Sequence, residues 1–391
     1  VKTAVQFGAG NIGRGFMGQL FQEAGYRTAF VDTNAELVDL ISRRSRYTLK
    51  LLDAYSGSEI DLVISGVEGV HFGDTDGVAR RLAAAEAAGT AVGVKNLASI
   101  APLLASGIRE RRKANPKPLD IYLCENVVDA SQQLREATLG LLDAELRDWA
   151  DRNIGFVGTS VARMVPPPSD RFGRGDPLLV AADSYHVLPF DAKAARAAPL
   201  PVEGVHGTAD FRAEMERKLY THNLGHAALA YLGHLRGCTY VHEPFADELS
   251  SRLFDGALDE TSRALLARHA GALDPEEHAQ IRRDVRIRFG NPLLGDTVRR
   301  VARDPLRKLG AQDRLVGSIR LCLSQGVFPE NVCRVCAAAL RYDATDDPDA
   351  VRLQALIADK GVEEALRLVS GIDPDSAEGR AIVASYHGFR P

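Results

Sequence analysis

The sequence predicts an α/β domain over residues 1–195 followed by an all-α domain over residues 196–391. Three observations carry that expectation. A glycine-spaced loop joins an apolar strand to a helix close to the N-terminus. Short apolar strand signals then alternate with helical stretches to about residue 182, the pattern of a parallel sheet with crossover helices. From Phe211 onward strand signals fade, and periodic stretches rich in Ala, Leu, Arg and Glu take over. A Pro/Gly-rich passage from Pro199 to Gly207 marks the joint.

Residues Thr3 to Phe7 read as the first strand, and Gly8, Gly10 and Gly13 follow in G-x-G-x-x-G spacing. Residues from about Gly13 to Gly25 read as a helix, with Phe16, Met17, Leu20, Phe21 and Ala24 at helical spacing. Thr28 to Val31 read as the second strand, which ends in Asp32. This is a dinucleotide cradle of the Rossmann type. Gly8 permits the tight turn, Gly10 lets the backbone approach a pyrophosphate, and Gly13 lets helix and strand pack closely. Ala9, Asn11 and Ile12 complete the loop. The helix start offers free N–H groups and a positive dipole end to phosphates. Asp32, 24 residues after Gly8, is placed to accept the ribose hydroxyls and repel a 2′-phosphate, so the expected cofactor is NAD rather than NADP.

Further strands are expected at residues 61–64, 90–94, 119–123, 154–157 and 178–182, with helices at 79–88 and 100–112. Ligands of an open α/β sheet bind beyond the carboxyl ends of its strands. That places Val92, Gly93, Glu125 and Asn126 near the glycine loop.

In the helical half, Lys218, Asn223 and His226 fall on one helix. At ~100° per residue, Asn223 lies ~140° and His226 ~80° from Lys218, within one broad face. Oxidising a secondary alcohol needs a group to take the hydroxyl proton, and a desolvated lysine can do this because burial lowers its pKa. An amide N–H can hold the developing alkoxide, and a histidine can fix the substrate or tune the lysine. Each residue alone has a plainer explanation, as a solvated lysine, a solvent-facing amide or a core histidine. His222 stands as a neighbour of both Lys218 and His226. A basic segment follows, including Arg288, Arg300, Arg303, Arg307 and Lys308. It reads either as a solvated face paired with Asp296 and Asp304 or as a pocket for a substrate phosphate.

Composition narrows the classes. The chain has 391 residues, 45% of them hydrophobic, and 48 basic against 52 acidic residues give a net charge of −4. That argues against a general nucleic-acid binder. No apolar run approaches the ~20 residues that span a bilayer. Five cysteines without a secretory leader point to a reducing, cytoplasmic setting. The Cys333-x-x-Cys336 pair lacks a second pair or nearby histidines, which favours core packing over a metal site.

The segments F-G-A-G-N-I-G-R-G (7–15), C-E-N (124–126), R-K-L-Y-T-H-N-L-G-H (217–226), R-F-G-N-P (288–292), D-P-L-R-K-L (304–309) and I-A-D-K-G (357–361) run the length of the chain. In them the chain resembles the polyol-specific long-chain dehydrogenases, specifically those acting on phosphorylated mannitol. The resemblance implies metal-independent, NAD-linked interconversion of D-mannitol 1-phosphate and D-fructose 6-phosphate by a monomer. It implies that Lys218 is the general base, that Asn126 and Asn223 hold the alkoxide, and that His226 completes the set. Two departures stand out: Ala162 in V-A-R-M-V-P takes the place of an acid, and Lys95 and Asn96 interrupt an otherwise apolar run. Another NAD-linked polyol or hexuronate dehydrogenase, and a nucleotide-sensing protein without catalysis, are the competing readings.

Overall fold

The computed structural model describes residues 2–125, 129–167, 172 and 175–389. The chain divides into two compact units, Val1–Phe211 and Arg212–Pro391. The expected joint at 195/196 thus moves sixteen residues on. The reason lies in the intervening segment. The N–H groups of Arg196 and Ala197 donate to the buried Asp120 carboxylate at 2.7 and 3.2 Å, and residues 205–208 pair with another strand of the first unit.

Eleven strands are found among the described residues of the first unit. They are β1 (Thr3–Phe7), β2 (Arg27–Asp32), β3 (Arg46–Leu52), β4 (Glu59–Ser65), β5 (Val67–His71), β6 (Ala87–Thr90), β7 (Leu119–Leu123), β8 (Ile154–Gly158), β9 (Val180–Asp183), β10 (Leu188–Asp191) and β11 (Val205–Thr208). Six form a parallel sheet in the order β5-β2-β1-β6-β7-β8. Numbered within that sheet, the order is 3-2-1-4-5-6, the doubly wound Rossmann arrangement. Both faces are covered, as a parallel sheet requires. Val5, Phe7, Ile121 and Leu123 pack with Leu104 and Ile108 on one side. Phe16, Met17, Leu20 and Phe21 pack with Tyr122 and Val157 on the other.

Several sequence expectations shift. The alanine-rich stretch at 79–94 reads as a helix followed by a strand at 90–94. In the structure the helix Thr75–Ala84 ends earlier, and β6 occupies 87–90. Helix propensity loses to position here, because β6 lies buried between β1 and β7. Its small residues let β1 and the adjoining helix approach: a Cβ on Gly89 would stand 2.4 Å from Gln6 Oε1. Residues 61–64 and 178–182 do hold strands, but these belong to a second sheet, β4-β3-β9. In it β4 runs antiparallel and β9 parallel to β3.

The second unit is helical. Its described residues include the helices Leu224–Leu235, Glu248–Arg268, Pro275–Phe289, Glu330–Leu340 and Pro348–Ser370, the last kinked at Gly361. Cys333 and Cys336 are fully buried on Glu330–Leu340, and burial pushes both thiols up. They pack as core residues. No helix of the described residues is long and apolar enough to cross a membrane.

Candidate active site

The first set of candidate residues lies at the carboxyl ends of β1 and β6. Gly8 takes a positive φ of 89°, and a Cβ there would stand 2.4 Å from the Ala91 carbonyl oxygen. A Cβ on Gly13 would stand 2.0 Å from the Gly8 carbonyl oxygen. Gly10 is exposed and has open space where a side chain would be. The loop therefore closes tightly below and stays bare above. A cleft of about 390 Å³ opens there, lined by Gly8, Gly10, Asp32, Val92, Asn96 and Ser99 among others. Asp32 is held by two backbone donors, Ala9 N–H at 2.8 Å and Asn34 N–H at 2.9 Å.

The remaining loop residues divide. Ala9 is buried under the loop, and Asn11 and the half-buried Ile12 lead into the helix. Val92 and Gly93 lie in the turn after β6 rather than on a strand, Gly93 with φ 82°. A larger hollow, about 590 Å³, opens among Arg27, Ser42, Glu68 and Arg81. It sits at the N-terminal ends of β1, β2 and β5, the edge opposite to where open α/β sheets bind ligands.

The sequence departures find local explanations. Asn96 lines the cleft and donates from Nδ2 to the Val92 carbonyl at 3.0 Å. Arg163, beside Ala162, has Asp183 instead: Nε donates to the Asp183 carbonyl at 2.9 Å, and the two side chains are fully buried within 4.0 Å of each other. Glu125 is buried, accepting from Thr90 Oγ1 at 2.6 Å and Val92 N–H at 3.0 Å. Burial pushes its carboxyl up. Asn126 lies outside the described residues.

The second set lies in the helical unit, and its backbone differs from the expected α-helix. Lys218–Asn223 form a π-helical turn, with Leu224 N–H reaching the Leu219 carbonyl five residues back. In such a turn the backbone hydrogen bonds join residues five apart, so the ring is wider than that of an α-helix. Lys218 and Asn223 are five apart, so the wider turn brings them nearer to one line than the ~140° at which an α-helix would place them. An α-helix resumes at Leu224 and brings His226 one turn beyond Asn223. Lys218 is half-buried, and Asn223 and His222 are buried.

His226 is the best-anchored member. Its ring stacks on Phe289 with centroids 4.7 Å apart and planes 12° apart. Nε2 lies 2.8 Å from Asp296 Oδ2, and the same carboxylate accepts from Arg300 Nε and Nη2 at 2.7 and 2.6 Å. Burial raises the Asp296 carboxyl, but the hydrogen bonds and charges of His226 and Arg300 outweigh this and hold it at about 2. Burial, reinforced by Arg300 and Arg314, holds His226 below its ordinary value, with Asp296 opposing. His222 is pushed lower still by burial and then by Arg288, His226, Lys218 and Arg314. The helix thus presents two imidazoles whose protonation burial opposes, among several cations.

The five basic candidates separate by environment. Arg288 and Lys308 are buried, Arg300 is committed to Asp296, and Arg303 and Arg307 are exposed. Arg307 pairs with Asp313 at 3.0 Å. Lys308 donates to the Arg303 carbonyl, and burial, with Arg314 and Arg307, lowers its ammonium to about 7. Three neighbours of these candidates were not singled out from sequence. Phe289 stands within R-F-G-N-P without a polar signal, Asp296 looks like a surface partner, and Arg314 closes a charged run that reads as solvated.

A nucleotide cleft in a doubly wound sheet, followed by a helical unit carrying lysine, asparagine and histidine, is the build of a nicotinamide-dependent dehydrogenase. Comparison with known proteins gives the lineage. Family models described as the mannitol dehydrogenase Rossmann domain and the mannitol dehydrogenase C-terminal domain match residues 2–203 and 210–387. A mannitol-1-phosphate 5-dehydrogenase of Brevibacillus brevis is 38% identical over 369 residues, 94% of this chain and 93% of that protein. Two solved structures share the fold. Pseudomonas fluorescens mannitol 2-dehydrogenase, in a ternary complex with NAD and D-mannitol, has a TM-score of 0.77 at 20% identity and covers 100% of this chain and 92% of its own. A D-sorbitol dehydrogenase in substrate-free form has a TM-score of 0.81 at 18% identity, covering 99% and 93%. The chain belongs to the mannitol dehydrogenase family.

Proposed function

We propose that this enzyme interconverts D-mannitol 1-phosphate and D-fructose 6-phosphate with NAD, without a metal, using Lys218 as general base and acid. The carrying observation is the π-turn that aligns Lys218 with Asn223. The 38% identity to the Brevibacillus brevis protein over nearly the whole chain points the substrate the same way.

The glycine loop fits a dinucleotide: Gly10 is bare above it, and Asp32 keeps acceptor capacity beyond its two backbone bonds. Gly8, Gly10, Asp32 and Val92 would hold the cofactor, with Ala9, Asn11, Ile12, Gly13 and Gly93 shaping the loop. NAD supplies the hydride acceptor in one direction and NADH the donor in the other. On the oxidation side Lys218 takes the proton of the reacting hydroxyl. In reduction it returns that proton to the carbonyl oxygen. Asn223 donates its side-chain N–H to the same oxygen as negative charge develops there, and Asn126 is a second such donor. His226 is locked by Asp296 and Phe289, so it orients the polyol.

The phosphate requires cations. Arg288 is the leading choice: it is buried and its charge reaches His222 on the catalytic turn. Arg300 and Lys308 are secondary contacts, while Arg303 and Arg307 face solvent. The test is NADH oxidation against D-fructose 6-phosphate, D-fructose and a hexuronate. Preference for the phosphate ester by two orders of magnitude or more in kcat/KM is expected. Equal or better use of free fructose or of the hexuronate would overturn the phosphorylated substrate while leaving the dehydrogenase class intact.

A further inference from the structure

The glycine loop is held from beneath by one side chain. Arg14 follows Gly13 and lies in a π-helical turn, Gly13–Met17. Its guanidinium is buried. Nε donates to the Ala9 carbonyl at 2.6 Å, and Nη1 donates to the carbonyls of Leu178 at 2.7 Å and Pro177 at 3.3 Å. The Arg14 backbone is held as well: its N–H donates to the Gly10 carbonyl at 3.0 Å, and its carbonyl accepts from Tyr47 Oη at 2.7 Å. Tyr47 lies on β3, and residues 177–178 lead into β9. Ala9 itself packs in one apolar cluster with Tyr47, Leu49, Leu178 and Val180. The loop is thus tied to the β4-β3-β9 sheet by polar and apolar contacts together.

The geometry points to a function for this tie. A trans peptide is planar, with its C=O and N–H on opposite sides. The Ala9 carbonyl and the Gly10 N–H belong to one peptide. When Arg14 holds the Ala9 oxygen inward, the Gly10 N–H is turned the other way, toward the open side where Gly10 lines the cleft. We propose that Arg14 is a positioning residue for the dinucleotide loop, setting the Ala9–Gly10 peptide so that Gly10 N–H faces the cofactor pyrophosphate. The three-stranded sheet is then part of the cofactor site although no strand of it lines the cleft. This rests on the reading that the Gly8–Gly13 loop binds NAD.

The experiment measures NADH dissociation constants by fluorescence, alongside kcat and both Michaelis constants, for the wild type, Arg14→Met, Arg14→Lys, Tyr47→Phe and Asp32→Ala. Asp32→Ala tests the underlying reading, because it removes a cleft residue that accepts from Ala9 N–H while leaving the acceptors of the Arg14 guanidinium in place. Wild type that binds NADH, and weaker binding in Asp32→Ala, establish the loop as the cofactor site. Arg14→Met is then expected to weaken NADH about tenfold, the scale of one lost charge-assisted hydrogen bond. Arg14→Lys should fall between, since an ammonium keeps the charge but cannot span Ala9 and Leu178 together. The sugar-phosphate Michaelis constant should stay within about twofold at saturating NADH, a split that general destabilisation would not produce. An unchanged NADH constant in folded Arg14→Met overturns the proposal. If that variant does not fold, an unchanged constant in Arg14→Lys does so. Loss of binding in wild type overturns the cofactor reading instead.

Discussion

Asp296 Oδ2 lies 2.8 Å from His226 Nε2, although 70 residues separate them in the chain. The carboxylate is buried and ionised, and Arg300 supplies its counter-charge through two hydrogen bonds. The imidazole is therefore oriented by an anion whose charge is already balanced. That arrangement fixes the ring without forcing a proton onto it.

Replacing Asp296 with Asn should expose this division. His226 keeps an oxygen partner, but Arg300, whose side chain is 34% exposed, loses its counter-ion, a change softened by solvent and costing about 1 kcal/mol. The loss should depend on pH. A carboxyl held at about 2, against an ordinary value near 3.8, contributes stability that is complete above pH 3.8 and vanishes as pH falls toward 2. By linkage that contribution is on the order of 2 kcal/mol. Urea unfolding of wild type and Asp296→Asn at pH 6 and pH 2.5 checks this: the gap should shrink at the lower pH.

Lys218→Met should lower turnover by about three orders of magnitude, within the range of general acid–base effects. Asn223→Ala should cost about two, as removal of one oxyanion donor does. NADH binding should change in neither, since neither residue lines the cleft at the glycine loop. Near-normal turnover in Lys218→Met would remove Lys218 from its role. Stopped-flow single turnovers separate the chemical step from binding.

Lys308 gives a second pH signature of opposite reach. Its ammonium falls to about 7 from 10.5, so between those values the unfolded chain binds a proton that the native state has released. Stability should therefore rise with pH across that window, completely gained above pH 10.5 and absent below about 7. The effect is on the order of a few kcal/mol. Lys308→Met should flatten the rise between pH 7 and pH 10 in chemical unfolding. An unchanged slope would mean that the ammonium stays charged in the native state.

The parts of the site legible from sequence are those specified by neighbours in the chain. Gly8, Gly10, Gly13 and Asp32 announce themselves because the turn, the helix start and the strand end all lie within a few dozen residues. The rest depends on distant packing. β5, V-E-G-V-H, carries little apolar alternation, yet it completes the sheet because β2 offers it a partner. β6 reads as helix because alanine favours helices everywhere except in the middle of a crowded sheet. Asp296 reads as a surface charge until the fold brings it to His226. Lys308 looks like any solvated lysine, since nothing local reveals that its ammonium is covered. The π-turn escapes any reading that assumes 3.6 residues per turn.

That turn has a consequence for how the chain tolerates change in length. A ring closed by five residues instead of four contains one residue more than a regular helix needs. Shortening Lys218–Asn223 by a single residue would let the segment relax into uninterrupted α-helix, with everything from Leu224 onward keeping its contacts. Lys218 and Asn223 would then stand four apart and ~40° from each other, still on one face of the helix. The wide turn is thus what lets a pair spaced five apart share one face, and a pair spaced four apart would not need it.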